Sequence, residues 1–178
     1  MTEGRGKTGV PFCRPDVTDA EVEEVAATLR SGWITTGPKV KQFEEAFAAA
    51  IGSRWAVAVS SCTAALHASL AAAGCGPGDE VITSVNTFTA TAASILQVGA
   101  TPVLVDIEED TFNMDPARVE EACSPRTRAV VPVHLAGHPC ELDRIEMAAA
   151  VRGAAVIEDA AHALPASSAG PASGRSQI

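Results

Sequence analysis

The chain has 178 residues, of which 13 are basic and 22 are acidic, for a net charge of −9. Hydrophobic residues make up 47% of it, which is typical of a globular domain and excludes a disordered chain. An acidic chain with few lysines and no tyrosine has neither a basic surface nor a stacking platform. Nucleic acid and anionic membranes are therefore excluded as expected partners.

The five cysteines are odd in number, and no two of them have C-x-x-C spacing (Cys13, Cys62, Cys75, Cys123 and Cys140). This pattern argues against a disulfide framework and against a zinc ribbon. The first twelve residues contain polar and charged side chains and no apolar run, so we expect no signal peptide. Together these features predict a reducing, cytoplasmic setting and no bound metal.

Two helices are predicted in the first part of the chain. Thr18 and Glu21 form a capping box, and apolar residues follow at helical spacing, which predicts a helix over 19–30. A second predicted helix begins at Gly37-Pro38 and ends at Gly52.

From Trp55 onward, predicted strands and helices alternate. The strands cover 56–60, 80–84, 101–107, 128–134 and 154–160, and the helices cover about 63–73, 88–98, 115–122 and 142–152. This order predicts the fold class α/β, with a mostly parallel sheet flanked by helices. Residues 55–78 and 81–105 contain no charged side chain, but Ser, Thr, Gly and Pro interrupt both. This indicates buried strands and small-residue helices rather than membrane spans.

Three short motifs carry less information than they first suggest. Gly6-Lys7-Thr8 lacks the upstream glycine and the flanking strand and helix of a phosphate loop. Gly74–Gly78 has Asp79 where a dinucleotide fingerprint needs glycine, so we predict a turn there. His134, His138 and Cys140 match no metal-ligand spacing, which favours a structural or substrate-facing role over a metal site.

Three features are predicted at the carboxyl edge of the sheet, where open α/β sheets bind their ligands. Ser60–Leu66 runs from a strand into a helix whose first N–H groups, with added hydroxyls, form either an anion cradle or an ordinary helix cap. Asp159 follows a buried run and needs a cationic partner, which is either a ligand or a structural arginine. Phe88 adds a flat aromatic ring. A phosphorylated aromatic cation such as pyridoxal 5′-phosphate (PLP) satisfies all three features.

With these motifs, the chain resembles the DegT-type family of PLP-dependent sugar aminotransferases, within the fold-type-I PLP enzymes. The resemblance covers most of residues 11–163. It is carried by SGWITTGP (31–38), AVSSCTAALH (58–67), GPGDEVITSVNTFTATA (76–92), GATPVLVDIEEDTFNMDP (99–116), SPRTRAVVPVHLAG (124–137) and VIEDAAHA (156–163).

The resemblance implies a role for each of five residues toward PLP. Cys62 and Thr63 would hold the cofactor phosphate, and Phe88 would stack on the ring. Asp159 would pair with the pyridine nitrogen, and His162 would lie beside the ring hydroxyl. Enzymes of this family move an amino group, usually from glutamate, to the keto carbon of a nucleotide-linked sugar. They act as homodimers in which both subunits contribute to each site.

One element of the family pattern has no counterpart. The family's Schiff-base lysine lies downstream of the EDAAH motif at 158–162, whereas the lysines of this chain are Lys7, Lys39 and Lys41. We therefore expect no catalytic residue in the chain and no transamination by it alone.

The expected organisation follows from this departure. We expect an N-terminal segment at 1–17, an incomplete PLP-binding large domain at 18–163, and a disordered or out-of-frame tail at 164–178 of a truncated product. Two alternatives stay open. One is a non-catalytic fragment that binds or dimerises with a full-length copy, and the other is a fragment of a related PLP sugar dehydratase.

Overall fold

A computed structural model describes residues 15–164 and residue 166. They divide into two compact units, one ending at Phe43 and the other beginning at Glu44. The Gly6-Lys7-Thr8 motif and all of the predicted tail except residues 164 and 166 lie outside the described residues. The domain boundaries at 17 and 163 stay predictions.

The first unit contains helix α1 (Asp19–Arg30) and the beginning of helix α2 (Pro38–Ala50). The predicted capping box is present, because Thr18 Oγ1 accepts a hydrogen bond from the Ala20 N–H and the Glu21 carboxylate accepts one from the Thr18 N–H at 2.6 Å. The prediction of a helix over 19–30 is confirmed. Neither helix contains a buried residue.

The second unit contains a four-stranded parallel sheet in the order β2-β1-β3-β4. Its strands are β1 (Glu80–Ser84), β2 (Thr101–Val105), β3 (Thr127–Val131) and β4 (Ala155–Val156). The helices are α3 (Cys62–Ala72), α4 (Thr89–Gln97), α5 (Pro116–Ala122) and α6 (Leu142–Ala150), and a short 3₁₀ turn covers Leu135–Gly137. This architecture confirms the predicted α/β class with a mostly parallel sheet.

Each face of the sheet buries its own apolar cluster, because successive strand residues point to opposite faces. Ile82 and Val130 belong to one cluster, with Val119 of α5 and Ile145 of α6. The neighbouring strand residues belong to the other cluster, which helices α3 and α4 cover (Val81, Ala129, Val131, Leu66, Leu70 and Ile95). The helices are therefore fixed on both faces, and their N-termini are held relative to the strand ends.

Residues 56–60, predicted as the first strand, do not form one in the described part of the chain. Val57 is 79% exposed there. The Ala58 N–H donates to the Glu44 carboxylate at 2.8 Å rather than to a neighbouring strand. The alternating apolar pattern gives these residues a preference for extended backbone, but a strand also requires a hydrogen-bonded neighbour.

The second long uncharged stretch contains the predicted strands and helix, whereas the first contains the predicted helix but not the strand predicted at 56–60. Residues 55–78 contain α3, and residues 81–105 contain most of β1, all of α4 and β2. Gly74 and Gly78 both adopt positive φ, +74° and +94°, in the predicted turn between α3 and β1. No helix in residues 15–164 is long and apolar enough to span a membrane.

Candidate functional site

The N-terminus of α3 offers unpaired hydrogen-bond donors. Ser61 caps the helix, and its Oγ accepts from the Ala64 N–H at 3.2 Å. In the part of the chain that the structure describes, the N–H groups of Cys62 and Thr63 donate to no protein acceptor. Two free amides at the positive end of a helix dipole, beside the Thr63 hydroxyl, have the chemistry of an anion cradle.

Asp159 lies just beyond β4, and its backbone extends the sheet. Its N–H donates to the Pro132 carbonyl at 2.8 Å, and its carbonyl accepts from the His134 N–H at 3.2 Å. Residue 159 also forms a parallel bridge with Val133. The residue is therefore anchored at the carboxyl edge, and only 6% of it is exposed.

The Asp159 carboxylate receives hydrogen bonds from neutral donors. Thr91 Oγ1 donates to Oδ2 at 2.7 Å, the Ala161 N–H donates to Oδ1 at 3.3 Å, and the Cys62 thiol lies 3.5 Å from Oδ1. These bonds offset part of the free energy that a carboxylate loses when it leaves water. None of these donors neutralises its charge, so the site is suited to a cation.

Cys62 is a protonated thiol at neutral pH. Partial burial, followed by the negative charge of Asp159 and the hydrogen bond to it, raises the pKa of Cys62 to about 11. The side chain therefore acts as a weak donor to Asp159 rather than as a thiolate nucleophile.

Phe88 and His162 are the two exposed members of the predicted set. Phe88 is the N-cap residue of α4, and 77% of it is exposed, so its ring is available for stacking. His162 is exposed in the turn that follows Asp159. The structure brings Cys62 and Asp159 into contact, and Thr63 directly follows Cys62 in the helix.

His134 is fully buried and both of its ring nitrogens are hydrogen-bonded. Nδ1 accepts from the Cys140 N–H at 3.0 Å, and Nε2 lies 2.9 Å from the Glu158 carboxylate. A ring engaged at both nitrogens has none left for a metal ion. The structural role left open by the sequence fits this arrangement, whereas a substrate-facing role does not.

Sequence reasoning missed Thr91, which is 1% exposed and contacts Asp159 directly. The sequence contains one indication of this residue, which is the spacing of Thr87 and Thr91. These residues lie four apart at the beginning of a predicted helix, where side chains share a face. Nothing in that spacing indicates a partner 68 residues away.

Comparisons with a protein family, with a curated protein and with solved structures agree with one another. The model of the DegT/DnrJ/EryC1/StrS aminotransferase family matches residues 15–177. The chain is 54% identical over 155 residues to the spore coat polysaccharide biosynthesis protein SpsC of Bacillus subtilis (strain 168), which covers 87% of this chain and 40% of SpsC. The chain thus spans about 40% of the length of this curated relative.

Two solved structures have the same fold. Spr1654 from Streptococcus pneumoniae, described as a sugar aminotransferase, superimposes in its PLP form with a TM-score of 0.83 and 42% identity, covering 88% of this chain and 44% of Spr1654. NtdA from Bacillus subtilis, with bound cofactor PMP (pyridoxamine 5′-phosphate), gives 0.82 and 38%, covering 90% of this chain and 38% of NtdA. Aminotransferases of the DegT type use pyridoxal phosphate.

Proposed function

Because the chain belongs to the DegT/DnrJ/EryC1/StrS aminotransferase family, we propose that it carries the cofactor-binding part of a PLP-dependent sugar aminotransferase. In this proposal the complete enzyme moves an amino group from an amino acid, glutamate by family resemblance, to a keto group of a nucleotide-linked sugar. The observation that carries the proposal is the contact between the buried Asp159 carboxylate and Cys62, the first residue of α3. Among the described residues, the N–H groups of Cys62 and Thr63 have no protein acceptor.

The residues present fit the cofactor. The amides of Cys62 and Thr63 and the Thr63 hydroxyl are donors for a phosphate group. Asp159 offers a buried carboxylate whose hydrogen-bond donors among the described residues are neutral, which suits a protonated ring nitrogen. The exposed ring of Phe88 suits a planar heterocycle, and His162 is proposed for the ring hydroxyl.

The chemistry divides between the cofactor and the protein. When bound, PLP supplies the electron sink that allows an amino group to be exchanged. Asp159 would hold a proton on the ring nitrogen, and the N-terminus of α3 would hold the phosphate. Cys62 remains a neutral thiol and adds no second negative charge beside Asp159.

The substrate class, assembly and location are proposed on narrower support. SpsC is named for spore coat polysaccharide biosynthesis, which supports a sugar destined for a polysaccharide. We infer a homodimer with shared sites from the family resemblance. The four cysteines in the described residues are free, which supports a reducing, cytoplasmic location (Cys62, Cys75, Cys123 and Cys140).

We also propose that this 178-residue chain binds the cofactor without a covalent link and does not transaminate alone. Its lysines are Lys7, Lys39 and Lys41, none of which matches the family's position, and Lys39 is paired with Glu24. Borohydride treatment of the protein with PLP should therefore leave no stoichiometric pyridoxyl-lysine in peptide mass maps. A single-site adduct together with turnover of glutamate would contradict this proposal.

Binding of PMP tests the site directly, because PMP binds without a covalent bond to a lysine. We expect saturable binding of one PMP per chain, measured by quenching of its fluorescence. Asp159→Asn should weaken binding about tenfold or more, since it removes the charge that pairs with the ring nitrogen. Asp143→Asn, at an exposed acid on α6, is the matched control and should bind as the parent chain does. Equal affinity for the Asp159 and Asp143 variants would refute the proposed site.

A further inference from the structure

Two threonine hydroxyls connect the buried Asp159 to the surface of the site. Thr91 Oγ1 lies 2.7 Å from Asp159 Oδ2, and Thr87 Oγ1 lies 2.7 Å from Thr91 Oγ1. Thr91 is 1% exposed, whereas Thr87 is half-buried. Both oxygen–oxygen distances are short enough to require a hydrogen atom between the oxygens.

The carboxylate at its end determines the direction of this chain of hydrogen bonds. An ionised carboxylate only accepts, so the Thr91 hydroxyl donates to Asp159. The Thr91 hydrogen is then in use, and the contact between the two threonines needs the hydrogen of Thr87. The result is an ordered sequence of donors, from Thr87 to Thr91 to Asp159.

Thr91 makes the shortest of the hydrogen bonds to the carboxylate. The other two donors within the described part of the chain, the Ala161 N–H and the Cys62 thiol, lie 3.3 Å and 3.5 Å from Oδ1. Thiols are weak donors, and the longer amide contact is also weak. The rotation of the carboxylate about its side-chain bond is therefore controlled mainly by Thr91.

The helix that carries Thr91 is itself held in place. The Thr91 N–H donates to the Phe88 carbonyl at 3.1 Å, so one turn of α4 carries both the aromatic ring and the hydroxyl. Ser94 Oγ donates to the Ala90 carbonyl within α4 at 2.7 Å and lies 3.4 Å from the Thr63 carbonyl of α3. Ile95 is fully buried in the core below. Thr91 is thus a rigidly mounted donor and not a mobile surface hydroxyl.

We propose that Thr91 is a positioning residue for cofactor binding, which fixes the rotation of the Asp159 carboxylate that pairs with the ring nitrogen of a bound pyridoxal or pyridoxamine phosphate. Thr87 supports it by orienting the Thr91 hydroxyl. This inference rests on the proposed function, because it assigns Asp159 to the ring nitrogen. It predicts that removal of the Thr91 hydroxyl changes the protonation of the ring nitrogen and not only the stability of the protein.

The experiment uses PMP labelled with ¹⁵N in the ring, titrated into the full chain and into Thr91→Val and Thr91→Ser. Valine keeps the shape of threonine without the hydroxyl, and serine keeps the hydroxyl. The ¹⁵N chemical shift reports whether the ring nitrogen carries a proton, and the titration gives Kd. We expect Thr91→Val to raise Kd about fivefold to tenfold and to release the ring proton at lower pH, and Thr91→Ser to restore both.

The outcomes separate this inference from the proposed function. Failure of the parent chain to bind PMP, or parent-like binding by Asp159→Asn, overturns both. If Asp159→Asn weakens PMP binding as expected but Thr91→Val keeps the Kd and the ¹⁵N shift of the parent chain, only the role of Thr91 is overturned. Equal weakening by valine and serine with an unchanged ¹⁵N shift also overturns it, because that result indicates packing. Should Thr91→Val fail to fold, Thr87→Val at the half-buried position must move the ¹⁵N titration in the same direction, and an unchanged titration overturns the proposal.

Discussion

The Cys62 thiol lies 3.5 Å from Oδ1 of Asp159, although 97 residues separate them in the chain. The contact joins the N-terminus of α3 to the residue that extends β4 past its end. The proposed anion cradle and a buried acid thereby become neighbours. A thiol that donates to a carboxylate keeps its proton, so this contact adds to the effect of burial in disfavouring the reactive thiolate.

We predict that Cys62 reacts slowly with iodoacetamide at neutral pH and that Asp159→Asn accelerates the reaction. Burial and the negative charge of Asp159 together raise the pKa of Cys62 to about 11, and the variant removes that charge. The thiolate is the reacting species, so a lower pKa gives more of it at a given pH. Rates measured by peptide mass mapping between pH 7 and 10 should rise several-fold in the variant.

The control for this experiment is Asp143→Asn, which removes an exposed carboxylate on α6. Cys140 serves as an internal reference in every sample, because it is buried and its thiol donates to the Val133 carbonyl. If the Cys62 rate profile were the same in both variants, the electrostatic effect of Asp159 on this thiol would be disproved.

The helices and most strands could be predicted because their signals are local. The capping box at Thr18 and the Asp115-Pro116 start of α5 each depend on hydrogen bonds within a few residues. Residues 56–60 show where this reasoning fails. Their alternation is a strand pattern, but strand formation depends on a hydrogen-bonded partner that the local sequence does not specify.

The candidate site was predictable to the extent that strand ends identify it. Asp159 lies near the end of the predicted strand 154–160, at the carboxyl edge that parallel strands share. Ser61 follows residues 56–60, which are predicted as a strand but form none, and its place in the site is given by its position as the N-cap of α3. Thr91 was not predictable in the same way, because its role depends on how α4 packs against the sheet. The distance of 2.7 Å to Asp159 is a property of that packing and not of the sequence around Thr91.

We predict that alanine substitutions at two adjacent positions on α4 differ widely in their effect on the free energy of unfolding. Ile95 is fully buried, whereas Leu96 is 62% exposed. Ile95→Ala should lower the free energy of unfolding by about 2–5 kcal/mol, because it removes buried methyl groups and leaves a cavity. Leu96→Ala should change it by about 0.5 kcal/mol or less. Urea unfolding followed by circular dichroism measures both, and similar values would contradict the orientation of α4.

A third prediction concerns stability at alkaline pH. Burial raises the pKa of Cys140 from its ordinary value of 9.0 to about 11. Below pH 9 the thiol is protonated in both the folded and unfolded chain, so it contributes no pH dependence. Between pH 9 and 11 only the unfolded chain ionises, so the free energy of unfolding should fall by about 1 kcal/mol per pH unit from this group.

Urea unfolding with a reductant present, at pH 7, 8, 9, 10 and 11, measures that dependence. Cys140→Ala removes the titrating group and should give a shallower decline above pH 9, at the expense of about 1–2 kcal/mol at pH 7 from the lost buried sulfur. Parallel declines for the parent chain and the variant would show that Cys140 does not titrate as its burial implies.

The last prediction concerns the buried imidazole of His134. The Cys140 N–H donates to Nδ1, so Nε2 must carry the proton and donate to the Glu158 carboxylate. ¹⁵N NMR of the side chain should therefore show the Nε2–H tautomer.

His134→Ala leaves the buried Cys140 N–H without an acceptor and creates a cavity, and it should lower the free energy of unfolding by about 2–4 kcal/mol. His67→Ala, at an exposed histidine on α3, should change it by about 0.5 kcal/mol or less. His134→Asn retains a side-chain acceptor and should recover part of the loss, whereas equal effects of the His134→Ala and His67→Ala substitutions would exclude a structural role for this ring.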